Sequence, residues 1–185
     1  MATNCDRCGN KTNEIKSGSS TAPQGVRISC LINSSEDLTR DVLKSETCNL
    51  EIPELELELG MGALAGKFTT VEGILTAVRD QLEEQSRFIF GDSALNESGS
   101  GEIGSKIKQI LEQLDEAKSG TTSVHLVLDD PAGNSYIQSL AAQQESDSNL
   151  KIEYYDRTFE QNEELGLNDM ITENYETNEN HTCLA

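Results

Sequence analysis

The stretch TSVHLVLDDPAGNSYIQSL, residues 122–140, decides the class of fold. Val124, Leu126 and Leu128 alternate with His125 and Val127, the period of two expected of a strand with one buried face. DDPAGN then concentrates residues that reverse a chain: Asp before Pro, followed by Gly-Asn. SYIQSL reads as a returning strand, so a β-hairpin is expected. His125 falls on the face opposite the leucines.

Upstream of this strand the period changes to that of a helix. TTVEGILTAVRDQLEE carries Val71, Ile74, Leu75, Val78 and Leu82 on one stripe, and Thr69 with Glu72 has the spacing of a capping box. EIGSKIKQILEQLDEAKSG carries Ile103, Ile107, Ile110, Leu111 and Leu114, with Gly120 as its stop. The Gly/Ser-rich FIFGDSALNESGSG lies between them, and a helical hairpin over about 69–118 is expected.

Strand patterns return on both sides. In VRISCLI, Val26, Ile28, Cys30 and Ile32 share one face, and Cys30 reads as a small buried hydrophobe. In ELELELG, Leu55, Leu57 and Leu59 alternate with Glu54, Glu56 and Glu58, predicting one strand that begins after Pro53 and keeps its glutamates in water. Residues 150–155 predict a last strand. The segment from Glu153 to Glu179 holds nine acidic residues and one basic one, Arg157, and residues 161–185 read as an acidic tail. Most strands lack intervening helical crossovers. The fold expected is therefore mainly β (α+β), an antiparallel sandwich or barrel with an inserted hairpin, over residues 26–160.

Composition narrows the function. The 185 residues carry a formal net charge of −19, with 35% hydrophobic residues and no Trp. Such a charge repels phosphate backbones, so direct nucleic-acid binding is not expected and a basic protein partner is. No run of about 18 apolar residues suggests a membrane span. Five cysteines, one close pair and three scattered, read as reduced thiols rather than a disulfide framework. No phosphate-binding glycine loop and no Gly-x-Ser-x-Gly elbow occurs. With two histidines, His125 and His181, a catalytic triad has little to draw on.

One motif carries metal chemistry. CDRCG places Cys5 and Cys8 in a turn where two thiolates face one ion, ahead of a Gly/Ser/Pro-rich linker at 17–25. Residues 1–16 thus read as half of a zinc site, since structural zinc takes four ligands and no second knuckle follows. A cupin-like metal enzyme is the competing reading, requiring His125 to converge with Glu56 or Glu58. A zinc-dependent nucleic-acid binder is the third.

Several strings resemble the ZPR-type zinc-finger protein family: CDRCGNKTNEIKSG (5–18), DLTRDVLKSETCNLEIPELELELG (37–60), FTTVEGIL (68–75), LDDPAGNSYI (128–137) and RTFEQNEELGLNDM (157–170). The resemblance implies a double-stranded β-helix, jelly-roll-like, with an inserted helical hairpin, preceded by half of a four-cysteine finger. It implies zinc on Cys5 and Cys8, with Met1 inside the finger and an upstream module missing. It implies a non-enzymatic adaptor or chaperone that binds translation elongation factor 1-alpha, supports growth signalling, and moves between cytoplasm and nucleus. Further implied partners are receptor tyrosine kinase tails and the survival of motor neuron complex. The expected contact residues are the exposed polar ones in these strings: Asp129, Asp130 and Asn134 in the turn, and Glu160, Asn162, Glu163 and Glu164 after the last strand.

Overall fold

The computed structural model describes residues 2–4, 11–13, 15–16, 21–64, 66–90, 102–141 and 146–170. Cys5, Cys8, part of the linker, the loop between the long helices and residues 171–185 lie outside them.

Among the described residues, ten strands form three antiparallel sheets. Strands β1 (Ala2–Asn4) and β2 (Lys11–Asn13) pair with each other. The main sheet has the order β10-β3-β8-β5-β6, built from β3 (Gly25–Ile32), β5 (Asn49–Ile52), β6 (Leu57–Leu59), β8 (Val124–Asp130) and β10 (Leu150–Tyr155). The opposing sheet has the order β7-β4-β9, from β4 (Asp41–Lys44), β7 (Lys67–Thr70) and β9 (Tyr136–Ile137). This is the jelly-roll-like sandwich anticipated, with two inner faces supplying the core.

The inner row of β3 is Val26, Ile28, Cys30 and Ile32, each at most 3% exposed. It pairs in register with Asp130, Leu128, Leu126 and Val124 of β8. Leu50, Ile52, Val42 and Ile137 complete the sandwich core. Burial pushes the Cys30 thiol up to about 11 and the Cys48 thiol up to about 12, which keeps both protonated and unreactive.

The helical hairpin is present as α2 (Val71–Phe90) and α3 (Glu102–Lys118). Val71, Ile74, Leu75, Val78, Leu114 and Ala117 join the same core as the sheets. Arg79 ties the helices together, its Nε donating to both carboxylate oxygens of Asp115 at 2.9 and 3.1 Å. Gly120 ends α3 with a φ of +73°, the left-handed stop expected of it.

Four local expectations are corrected. The turn at 129–134 does not close a hairpin: β8 belongs to the five-stranded sheet, whereas β9 pairs with β4 across the sandwich. ELELEL is not one strand either. Pro53–Leu55 form a 3-10 turn, Glu56 takes a left-handed φ of +49°, and only Leu57–Leu59 extend. The three leucines are still buried and the three glutamates still face out, because the turn preserves the alternation. The N-terminus of α2 is capped by Thr70, whose Oγ1 accepts from the Gly73 N–H at 3.2 Å, rather than by a Thr69–Glu72 box. The boundary expected between residues 160 and 161, where the acidic tail was to begin, falls within a helix, α4 (Phe159–Glu164). Thr158 and Gln161 form a capping box there.

A short helix and a buried ion cluster carried no clear sequence signal. The helix, α1 (Ser35–Leu38), starts at a Ser34 cap. Arg40, 2% exposed, donates to Asp37 Oδ1 at 2.7 Å and to Asp147 Oδ2 at 2.5 Å. Burial opposes the Arg40 charge, but the two carboxylates outweigh it and hold the guanidinium cationic. The same bonds hold the Asp147 carboxyl well below the usual carboxylate range. The triad anchors the loop that leads into β10.

Candidate functional site

The candidate residues fall into two layers at one end of the sandwich. The inner layer is the 129–134 turn. Asp130 is in phase with Leu126 and Leu128, so its side chain points inward and is fully buried. This corrects the expectation that Asp130 is an exposed contact residue. Its Oδ1 accepts from Thr47 Oγ1 at 2.7 Å and the Ala132 N–H at 3.0 Å. Its Oδ2 accepts from Ser45 Oγ at 2.8 Å, the Asn134 N–H at 2.9 Å and Ser135 Oγ at 2.8 Å. Five donors satisfy a buried charge that would otherwise be costly. Asn134, half-buried, is held here through its backbone.

Gly133 must be glycine. Its φ is +73°, and a Cβ would fall 2.7 Å from both Ala22 Cβ and the Gln24 carbonyl oxygen. The end of the linker thus lies directly on the turn, and Ala22 N–H donates to Ala132 C=O at 2.9 Å. A polar residue in phase with three core hydrophobes, near Ser45 and Thr47 of a second strand end, is the signal that marks Asp130 as a buried hub.

The outer layer crosses the solvent face of the main sheet. Arg27 donates to Glu51 at 2.7 Å and to Asp129 at 3.3 Å. The Tyr155 hydroxyl donates to the other Asp129 oxygen at 2.6 Å, and Gln161 of α4 donates to that hydroxyl at 3.4 Å. Burial and the adjacent Asp129 carboxylate push the Tyr155 phenol well above its ordinary range. Asp129 is therefore half-buried in a bonded row. Beside this row lies a cleft of about 430 Å³, bordered by Arg27, Asp129, Glu153, Tyr154, Tyr155, Thr158 and Gln161.

Helix α4 sits at the end of the row. Arg157 holds it: Nη1 donates to the Ala22 and Pro131 carbonyls at 2.7 and 3.0 Å, and Nε donates to Asn162 Oδ1 at 2.9 Å. Glu163 accepts from Asn168 at 2.8 Å. Asn162 is half-buried, whereas Glu160, Glu163 and Glu164 are exposed. The structure thus brings Asp129, Asp130, Asn134, Asn162 and the α4 carboxylates into one connected region. Asp130 and Asn162 shape it, and Glu160, Glu163, Glu164 and part of Asp129 face solvent.

His125 does not converge with Glu56 or Glu58. Its Nδ1 lies 2.5 Å from Glu54 Oε1, and its backbone N–H donates to Glu54 Oε2 at 2.9 Å. Burial opposes the Glu54 charge, but these bonds outweigh it and lower the carboxyl. Glu56 instead accepts from Lys106 of α3 at 2.9 Å. Among the described residues no group of three or more His, Cys, Asp or Glu is placed to hold a metal ion. Likewise no described helix is long and apolar enough to cross a membrane. Strands β1 and β2 are joined by six residues that include Cys5 and Cys8.

Comparison with known proteins follows the same division. Residues 36–167 match the ZPR1 jelly-roll domain, and residues 1–23 match the ZPR1 zinc-finger domain. The chain is 52% identical over 177 residues to zinc finger protein ZPR1 of Bos taurus, and 51% identical over 176 residues to that of Homo sapiens. It is 47% identical over 176 residues to zinc finger chaperone zpr1 of Schizosaccharomyces pombe. These alignments cover 95–96% of this chain and 37% of each relative, so the chain spans a little over a third of their length. The relatives carry the names of zinc finger proteins and a chaperone rather than of enzymes.

Proposed function

This chain belongs to the ZPR1 zinc-finger protein family, and on that premise we propose that it is a non-enzymatic binding module that acts as an adaptor or chaperone for translation elongation factor 1-alpha. The observation that carries the reading is the 47% identity, over 95% of this chain, to a relative named a zinc finger chaperone. The net charge of −19 supports a basic partner, since long-range attraction speeds encounter and weakens with salt. The exposed carboxylates of α4, Glu160, Glu163 and Glu164, and the accessible part of Asp129 form the contact surface in this reading. Asp130 and Asn134 serve it indirectly, by holding the turn on which Arg157 and α4 rest.

Zinc belongs to the same proposal. Cys5 and Cys8 supply two of the four ligands that a structural site needs. Thiolate ligation there would fix the β1–β2 unit. Support of growth signalling, residence in cytoplasm and nucleus, and binding of receptor tyrosine kinase tails and the survival of motor neuron complex are proposed on the family resemblance.

A charge reversal tests the surface. Replacing Glu160, Glu163 and Glu164 by Lys leaves the core untouched and should weaken elongation-factor binding at least tenfold at low salt. Unchanged affinity in a variant with an unaltered melting transition would remove α4 from the contact.

A further inference from the structure

The five-stranded sheet is wider than the three-stranded sheet that covers it, and β10 is left over. Leu150, Ile152 and Tyr154 pair with Cys30, Ile28 and Val26 of β3, so they share the core side of the sheet. The β3 residues are at most 3% exposed, yet Ile152 is 44% and Tyr154 70% exposed. The inner row of the sheet therefore continues past the core into solvent.

The backbone of β10 is open on the same margin. The Leu31 N–H donates to the Asn149 carbonyl at 2.8 Å, so Asn149 addresses β3, while the Leu150 N–H turns away to Asp147 at 3.3 Å. Strand groups alternate in direction, so Lys151, Glu153 and Tyr155 also address β3. Ile152 and Tyr154 direct their N–H and C=O groups outward. Among the described residues no other strand pairs with β10. Proline, a bulge or inward charges commonly blunt such an edge, and residues 150–155 have none of them on the inner row.

The surroundings select the occupant. Residues 150–170 hold six acidic residues against Lys151 and Arg157. Lys151 is paired with Glu153 at 2.9 Å, and Arg157 is committed to carbonyls and Asn162. On the outer side of β10 the 430 Å³ cleft offers Glu153, Asp129 and the Tyr155 ring, while the Arg27 guanidinium on its border is taken by Glu51 and Asp129. A second copy of this chain would bring another charge of −19 to the same edge.

We infer that β10 is a docking edge for an extended, basic segment of a partner protein, which adds to the sheet as a sixth strand. Its apolar residues cover Ile152 and Tyr154 on the inner side, and its alternate Lys or Arg side chains reach Glu153 and the cleft on the outer side. This inference does not depend on which protein supplies the strand, nor on the elongation-factor reading.

The test uses a capped ten-residue peptide of alternating Lys and Val, a Glu/Val counterpart, and a Lys/Val peptide N-methylated throughout. Fluorescence anisotropy reads binding to the full chain, and backbone amide exchange reads the site. The Lys/Val peptide should bind saturably, more weakly at high salt, and slow exchange at Ile152 and Tyr154. The N-methylated peptide should bind at least tenfold more weakly, because it cannot donate to the edge. I152P should give a similar loss, since that N–H is not used by β3, and E153K should weaken the Lys/Val peptide without the need for a backbone change. Equal binding of the N-methylated peptide, or absence of protection at Ile152 and Tyr154, would overturn the inference. So would a chain that forms dimers through this edge in sedimentation. A separate titration with elongation factor 1-alpha distinguishes failure of this inference from failure of the functional reading.

Discussion

Tyr155 lies across Gly25, its ring carbon 2.5 Å from where a side chain at residue 25 would begin. The two are paired in register at the ends of β10 and β3. The missing side chain is what lets the phenol fold over the sheet and reach Asp129. Glycine weakens a strand interior, and an aromatic ring laid over it recovers buried surface.

Gly25→Ala should therefore displace Tyr155 and cost about 1–3 kcal/mol, the usual range for overpacking. Tyr155→Phe keeps the ring and loses the bond, at about 1 kcal/mol. The raised phenol value gives a pH signature. Stability from this group is present below the ordinary tyrosine value of about 10 and is lost as pH rises toward its higher folded value. The alkaline decline should be shallower in Tyr155→Phe, as read by denaturant melts between pH 8 and 11.

Asp130→Ala should be among the most damaging substitutions in the chain. It strands three hydroxyls and two amide N–H groups around a site with no exposure. A loss of about 3 kcal/mol or more is expected. Urea denaturation should show a lower midpoint, and amide exchange should show the 131–135 turn opening first.

The Arg40 triad should dominate acid behaviour. The Asp147 carboxyl is depressed mainly by its bond to Arg40. Its contribution is then present above the unfolded carboxylate value of about 3.9 and is lost as pH falls through the lower folded value. Asp147→Asn should be much less stable than the parent at pH 7, and the gap should begin to narrow below about pH 4 and keep narrowing as pH falls toward the lower folded value. Arg40→Met leaves two buried carboxylates facing each other and should cost about 3–5 kcal/mol at neutral pH. Thermal melts across pH 2–8 measure both.

Zinc should depend on the knuckle alone. The purified chain should take up zinc weakly, at no more than one ion per chain, and a Cys5→Ser/Cys8→Ser variant should lose it. Atomic absorption after dialysis reads this directly. Undiminished zinc in the double variant would place the metal elsewhere.

Much of the fold was legible because period-two and helical patterns report which face is buried. Val26–Ile32, residues 150–155 and both long helices follow from that alone. The pattern does not name the partner strand. SYIQSL therefore looked like the return of a hairpin, although Ile137 pairs with Val42 in the other sheet. Nor does it detect a turn that keeps the alternation intact, which is how Glu56 interrupts ELELEL. Arg40 and Lys44 are buried basic residues in short segments, where residue type argues for exposure and only tertiary partners decide otherwise. At the candidate site, the exposure of Glu160 and Glu164 was readable from an acidic run. The burial of Asp130 is carried by its phase with Val124, Leu126 and Leu128, a signal that the turn composition of DDPAGN overrides by placing Asp at the surface.

The most direct measurement is calorimetric titration of the chain against elongation factor 1-alpha, in its GDP and GTP forms, at low and at high salt. The account predicts saturable binding that differs between the two nucleotide forms and weakens as salt rises. Absence of heat with either form, from a chain shown to be folded, would contradict it.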